Sequence, residues 1–337
     1  MLTYIRFQNF RVLKDTRLPL SRVTIIAGAN GSGKSTVLQA LSLLSSNAQE
    51  LGRFPSTKEY DGVVSVDAPS FQPPVEIQYY WDSAPPNNYI RLTWDKENRT
   101  HRGSEPGHGI PAELQAFTTG IRVFALEPSA IAAPVQVGTN VQLTSSGGGL
   151  AGVLDNLQDN TRERFDALNA ELPSWIPEFD LVRFDQGPGV KSIKLRRKRD
   201  GLFIRAADLS EGTRFALTLL TLAHMPDPPS LVGLEHPDAG IHPRLLRRVQ
   251  DSIYRLAFPE SHDDRRQPTQ VVATTHSPYF LELFKEHPEE IVFANKDENG
   301  VSFQRLSERP HIADILPEGP LGDLWYSGLL GGVPSQP

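Results

Sequence analysis

The chain has no cysteine. Disulfides, thiolate nucleophiles and cysteine-ligated zinc are therefore excluded, and a cytoplasmic location is the expectation. No apolar run is long enough to cross a bilayer, so membrane insertion is not expected. Net positive charge is also missing. Lys and Arg number 34 against 40 Asp and Glu, a formal charge of -6, so any nucleic-acid contact has to come from a local patch. No heptad repeat persists through the middle of the chain, which excludes a long coiled-coil arm.

What is present is enough for one large core or two packed lobes: 337 residues, 39% of them hydrophobic. Met1–Phe7 is short and alternating, which reads as a first strand and not a signal peptide. The most informative stretch is Gly28-Ala29-Asn30-Gly31-Ser32-Gly33-Lys34-Ser35. It follows the apolar run Val23–Ala27 and leads into the helical pattern Thr36–Leu41, giving strand, glycine loop and helix with phosphate-loop spacing. Small residues let successive N–H groups converge on phosphate oxygens at a helix N-terminus. Lys34 then reaches the outer phosphates, and the Ser35 hydroxyl is placed for Mg²⁺.

The helix is expected to end at Leu44 or Leu51. Val75–Trp81 and Tyr89–Trp94 read as paired strands, Lys96–Gly109 as an exposed polar segment, and Ile121–Leu126 as a strand closed by Glu127-Pro128. A Gly/Ser-rich connection, Pro134–Gly149, leads to a helix at Leu150 and a second, short one over Thr161–Leu168. Residues 180–205 read as a small sheet with a turn at Asp200-Gly201. It carries the densest positive cluster, Lys191, Lys194, Arg196, Arg197, Lys198 and Arg199. A solvated hairpin, a nucleic-acid backbone contact and a protein contact all fit it, and strand alternation would split its charges between two faces.

The remainder alternates helix and strand: helices over Thr213–Ala223, Pro243–Leu256 and Tyr279–Lys285, strands over Ser230–Leu234 and Gln270–Thr275, then a hairpin around Asn299-Gly300. Four motifs fall at its junctions. They are Leu209-Ser210-Glu211-Gly212-Thr213 before a helix, Glu235-His236-Pro237-Asp238 after an apolar strand, Ala239-Gly240-Ile241-His242-Pro243 directly following, and Thr275-His276-Ser277-Pro278. Taken alone, Ser210 reads equally as a helix cap, and His242 as a cap or core histidine.

In order, these motifs resemble the ATP-binding cassette ATPases, and more specifically the SMC/RecF-type heads and the ATPase domain of OLD-family proteins, with similar motifs in stand-alone bacterial AAA-family ATPases. The resemblance runs from Ile5–Phe10 to Gly322–Gly332. It implies an α/β fold: a two-lobed ABC-type P-loop ATPase head with mixed sheets and a helical insertion. The expected parts are an N-terminal lobe over 1–130, an inserted helical and small-sheet region over 131–205, and a C-terminal lobe over 206–337. It implies ATP and Mg²⁺ as cofactors, held by Asn30, Gly31, Ser32, Gly33, Lys34, Ser35 and Thr36, with Glu235 on the metal. Ser210 and Gly212 would meet the γ-phosphate held by a second copy in a head-to-tail homodimer. Asp238–Gly240 would lie near the seam, and His276 would sense the γ-phosphate.

One position departs from the family pattern. A carboxylate usually follows the Mg²⁺-associated acid, and here His236 stands there. A neutral imidazole accepts a proton, with an ordinary pKa of about 6.5, but brings no fixed negative charge. The alternatives are His236 as base, Asp238 taking over, or an ATP-binding switch that barely turns over. About 175 residues separate Lys34 from Ser210, which fits a RecF-like insertion better than a compact transporter ATPase. By resemblance the output is DNA metabolism, repair or antiviral defence, through DNA or an effector protein such as a nuclease or toxin. An ATP-dependent protein regulator and a transporter-energising subunit are the alternatives. The last sixty residues hold too few grouped carboxylates for an added TOPRIM-like metal domain.

Overall fold

The computed structural model describes residues 1–45, 64, 74–82, 89–95, 100–103, 110–136, 141–298 and 300–333. Chain order begins β1 (Leu2–Phe10), β2 (Leu13–Pro19), β3 (Val23–Gly28), α1 (Lys34–Ser45), β4 (Val75–Trp81), β5 (Tyr89–Trp94), β6 (Thr100–Gly103) and α2 (Ala112–Thr119). It continues β7 (Ile121–Phe124), α3 (Pro128–Ala132), β8 (Val135–Gln136), α4 (Leu150–Asn160), α5 (Arg162–Trp175), β9 (Phe179–Gly187), β10 (Val190–Arg197), β11 (Phe203–Arg205) and α6 (Glu211–His224). The last elements are β12 (Leu231–Glu235), α7 (Leu246–Ala257), β13 (Gln270–Thr275), α8 (Pro278–Glu282), β14 (Ile291–Asp297), β15 (Gly300–Arg305), α9 (Ile312–Ile315) and α10 (Leu321–Tyr326).

Two compact units divide the chain discontinuously: 1–122 with 230–233 and 270–337, and 123–229 with 234–269. The first is built on a six-stranded sheet of order β15-β14-β3-β13-β12-β7, whose strands β12 and β7 run on into the second unit. β3 pairs in parallel with β13 on one side and β14 on the other. Every residue of β3 and β13 is buried, as expected of central parallel strands covered on both faces.

The same unit holds a five-stranded antiparallel sheet, β2-β1-β4-β5-β6. Here burial alternates: Ile5, Phe7, Ile77, Tyr79, Ile90 and Leu92 are buried while their neighbours along each strand are not. The buried face reaches α1, where the Tyr79 hydroxyl donates to the Ala40 carbonyl at 2.7 Å. Gln270, 3% exposed, ties the two sheets together. Its side chain accepts from Leu2 N at 2.9 Å and donates to the carbonyls of Leu2 and Ser21.

The second unit combines the sheet β11-β10-β8, with β9 on β10, and helices α4, α5, α6 and α7. Its helix α5 corrects the expected end at Leu168. Phe165, Leu168, Leu172 and Trp175 are all buried, so the apolar stripe carries the helix to its C-terminal turn. Pro173 lies in that last turn, where the N–H it lacks removes one bond and does not break the helix. Two further segments differ from expectation. β6 forms inside the segment expected to be merely polar, pairing with β5 as Trp94↔Thr100. β7 stops at Phe124, because Ala125 and Glu127 donate to the carbonyls of Ser145 and Ser146. The hairpin of β14 and β15 forms as expected, α1 ends at Ser45, and its alternative end at Leu51 falls outside the described residues.

A part-buried polar cluster links the helices of this unit. Glu171 on α5 lies 2.9 Å from His224 Nε2 on α6 and accepts from Arg255 Nη1 on α7 at 2.6 Å and from Trp175 Nε1 at 3.1 Å. Burial alone would push the Glu171 pKa up, but the His224 and Arg255 contacts win and hold it at about 2. The ionised carboxylate therefore stabilises the fold above its ordinary pKa of 4.5, and that contribution is lost as pH falls toward 2. Glu171→Gln is expected to lower the urea midpoint at neutral pH. The deficit should shrink steadily below pH 4.5; a gap independent of pH would contradict the ionic role.

Candidate functional site

In the first unit, β3 ends at Gly28 and the chain turns through Asn30 and Gly31, both exposed, into α1. A side chain at Gly28 would meet the Ala294 carbonyl at 2.5 Å and Ser32 Oγ at 2.9 Å, so the strand can approach β14 this closely only with glycine. Ser32 and Gly33 are buried, Ser35 is exposed on the first turn of α1, and Thr36 is buried behind it. Lys34 folds back into the loop. Its Nζ donates to the carbonyls of Gly28 at 2.9 Å and Ala29 at 2.8 Å, and to Ser32 Oγ at 3.4 Å. The side chain is 4% exposed, and burial lowers its pKa to about 8. A desolvated ammonium enclosed by main-chain polar groups fits a polyanionic ligand, whose charge would favour the protonated form.

Strand register brings a second predicted residue to this loop. β13 pairs with β3 as Thr275↔Ala27, so His276, exposed, emerges beside Gly28. Ser277 follows as the cap of α8, its Oγ accepting from Phe280 N at 3.1 Å. Gly28, Ala29, Asn30 and His276 line a cavity of about 300 Å³ with Trp325 and Tyr326 of α10. Trp325 packs on Phe293 at 6.0 Å, and Gly332 N donates to Asn295 Oδ1 at 2.6 Å, which seats the C-terminal turn there. That wall was invisible as a site feature in the sequence, where Gly322–Gly332 is only a soft motif.

The second unit gathers the other predicted residues. Ser210 is exposed and caps α6, its Oγ accepting from Thr213 N at 3.2 Å. Gly212 is packed against the turn after β12: a Cβ there would lie 2.2 Å from the Gly240 carbonyl oxygen. Thus the Ser210–Gly212 loop and the Asp238–Gly240 turn form one backbone surface within a single chain. Glu235 ends β12, and His236 takes a left-handed conformation (φ 47°), its carbonyl accepting from Ala239 N at 2.9 Å. Such a conformation is uncommon for a non-glycine residue and concentrates at functional turns. His242 caps the turn before α7, Nδ1 accepting from Arg244 N at 3.2 Å.

Glu235 and His236 line a cavity of about 240 Å³ together with Leu126, Phe215 and Glu127. Glu127 is a carboxylate that sequence reasoning passed over as the end of a strand. Its signal was an acid placed directly after an apolar strand, the same pattern that drew attention to Glu235. The basic cluster, by contrast, is largely matched by acids. Lys191 pairs with Asp155, Lys194 with Asp185, Arg196 with Asp180 at 2.9 Å, and Arg197 with Asp200 at 2.6 Å. Hydrogen bonding to these guanidinium groups holds Asp180 and Asp200 below the usual carboxylate range. The hairpin reads as a solvated, internally neutralised face.

Two protein-family models match the chain. One, described as "AAA ATPase domain", covers residues 1–105, and another, described as "AAA domain, putative AbiEii toxin, Type IV TA system", covers 115–282. An OLD nuclease of Thermus scotoductus is 23% identical over 96% of this chain and 68% of its own length. An SMC head solved bound to the C-terminal winged-helix domain of ScpA superposes with a TM-score of 0.59 at 16% identity, covering 90% of this chain and 96% of its own. That likeness shows the ABC-type head fold. The recombination mediator RecF gives a TM-score of 0.48 at 12% identity, over 90% of this chain and 98% of its own.

The backbone contact between the two loops of the second unit has a measurable consequence. Gly212→Ala is expected to cost about 1–3 kcal/mol, since its Cβ would collide with the Gly240 carbonyl. Ser210→Ala, losing only a cap, should cost about 1 kcal/mol. Urea unfolding of both variants checks the order.

Proposed function

We propose, since the chain belongs to the AAA-family ATPases, that it binds ATP with Mg²⁺ over Asn30–Thr36 and hydrolyses it to ADP and phosphate as a cytoplasmic dimerisation switch acting on DNA or on an effector protein. The observation that carries this reading is Lys34, buried and desolvated inside the main-chain cradle. When bound, the metal–triphosphate supplies charge that two protein surfaces share and a phosphorus open to in-line attack by water.

Everything else is the work of this chain's side chains. Lys34 exchanges its bonds to the carbonyls of Gly28 and Ala29 for phosphate oxygens. Ser35, exposed on the first turn of α1, would ligate the metal, and Glu235, at the end of β12, is the carboxylate that would orient the ion or its water. His276, at the mouth of the phosphate loop, donates toward the outer phosphate. Ser210 and Gly212, presented on the α6 N-terminus, meet the ligand of a second copy, so loss of phosphate removes the contacts that join the copies.

The proton of the attacking water needs an acceptor. His236 is half-buried beside Glu235, and Glu127 lines the same cavity. The substitution of imidazole for the expected carboxylate also favours a second reading, a switch that binds ATP and turns over slowly. The link to nucleic acid rests on the OLD relative, a nuclease by name; the link to an effector rests on the toxin–antitoxin description of one matching family.

Lys34→Ala is expected to abolish the thermal shift produced by ATP and Mg²⁺. Ser210→Arg should keep that shift but lose any ATP-dependent doubling of mass in light scattering. If His236 accepts the proton, His236→Ala lowers phosphate release by about a hundredfold or more while Glu127→Gln changes it little. The reverse result assigns the role to Glu127, and a wild type that retains ATP unhydrolysed supports the slow switch.

A further inference from the structure

The antiparallel sheet of the first unit carries a surface that the nucleotide chemistry does not use. On the face opposite its buried side, Tyr4 of β1, Tyr80 of β4 and Tyr89 of β5 stand in register across three adjacent strands. Tyr4 and Tyr80 stack with centroids 4.1 Å apart and planes 16° off parallel; Tyr80 and Tyr89 follow at 5.3 Å and 29°. At the β2 end the guanidinium of Arg17 caps the column, its Cζ 3.6 Å from the Tyr4 centroid. The Tyr80 hydroxyl donates to Gln78 Oε1 at 2.6 Å.

Arginines flank the column on the same face. Arg6 of β1 lies across from Arg17 and Gln78, and Gln78 from Arg91 of β5. Arg6 and Arg17 are exposed and Arg91 is half-exposed. Two acids share the face: Arg6 Nη2 lies 3.4 Å from Asp15 Oδ1, and Arg91 Nη1 lies 3.9 Å from Glu76 Oε1. These contacts are long and solvent-exposed or loose, unlike the short pairs that neutralise the 191–199 hairpin.

Cross-strand stacking by itself stabilises a sheet. Three arginines in the row beside an aromatic column, on a sheet face whose described residues are half-buried or exposed, do more: they match a chain of phosphates running beside flat rings. A duplex hides its base faces, whereas a single strand offers them for stacking. We propose that this face binds single-stranded nucleic acid, a base lying on the ring face of Tyr89 turned away from Tyr80 and phosphates meeting Arg6, Arg17 and Arg91. The inference rests on the DNA reading above for its class of partner and supplies that reading with a site.

The test is fluorescence anisotropy of labelled oligothymidylate, and of a duplex of equal length, with the full chain at low salt. Single-strand binding tighter than duplex binding is expected. Tyr89→Leu should weaken it about tenfold, and Tyr89→Phe, which keeps the ring, should restore it. Arg6→Ala with Arg91→Ala should flatten the slope of log affinity against log salt by about 0.7 for each phosphate no longer neutralised. Absence of single-strand binding, tighter binding to duplex, or loss on Lys198→Ala with none on Tyr89→Leu would overturn the proposal. The ATP-induced thermal shift of the same wild-type sample separates the two levels. A shift without strand binding removes this surface alone, and no shift removes the ATPase reading beneath it.

Discussion

The parallel register of β3 with its two neighbours is the constraint on which the nucleotide loop depends. Ala27 lies opposite Thr275 and Gly28 opposite Ala294, so strand ends on both sides converge at one level. That level sets where the loop leaves the sheet, where His276 emerges, and why a side chain is excluded at Gly28. A slip of one residue would invert the side-chain alternation of β3 and separate His276 from the loop. The buried apolar residues of β3 and β13 prevent that slip, because each face of both strands is packed. Hydrophobic burial in the core thereby fixes the geometry of a polar loop at its edge.

Charge is arranged on two different principles. Where it is enclosed, neighbouring groups compensate it: carbonyls accept from Lys34, whose pKa burial lowers, and the His224 and Arg255 contacts hold down that of Glu171. Where it is dense and exposed, as on the 190–197 hairpin, acids on adjacent strands and turns match the bases. A count of lysines and arginines along the sequence points to that hairpin as the positive surface. Three-dimensional pairing shows that its field is largely spent locally, and that the guanidinium groups beside tyrosines on the N-terminal sheet are the less committed ones.

Most of the secondary structure was legible because each element carries a strong local pattern. The β14–β15 hairpin, the β4–β5 pair and the phosphate-loop helix follow from periodicity and turn chemistry. The misses share a cause. Helix α5 continues past Leu168 because Leu172 and Trp175 find a core, and β6 forms because β5 offers it a main-chain edge. Both are tertiary decisions that override weak local signals. Glu127 escaped notice for the same reason: its importance comes from sharing a cavity with Glu235 and His236, residues more than a hundred positions away.

The sequence by itself determined the kind of chemistry. Glycines, a lysine and a serine at fixed spacing between an apolar strand and a helix suit a phosphate chain, and the imidazole at His236 is a fact of composition. Tertiary structure decided which groups stand together: His276 and the C-terminal aromatic turn beside the loop, Gly212 against Gly240, Glu127 beside Glu235, and three tyrosines in one column. The division has a physical reason. Local spacing specifies backbone conformation and the groups a loop can offer, whereas contacts between distant segments exist only once strand pairing and apolar burial have fixed the register.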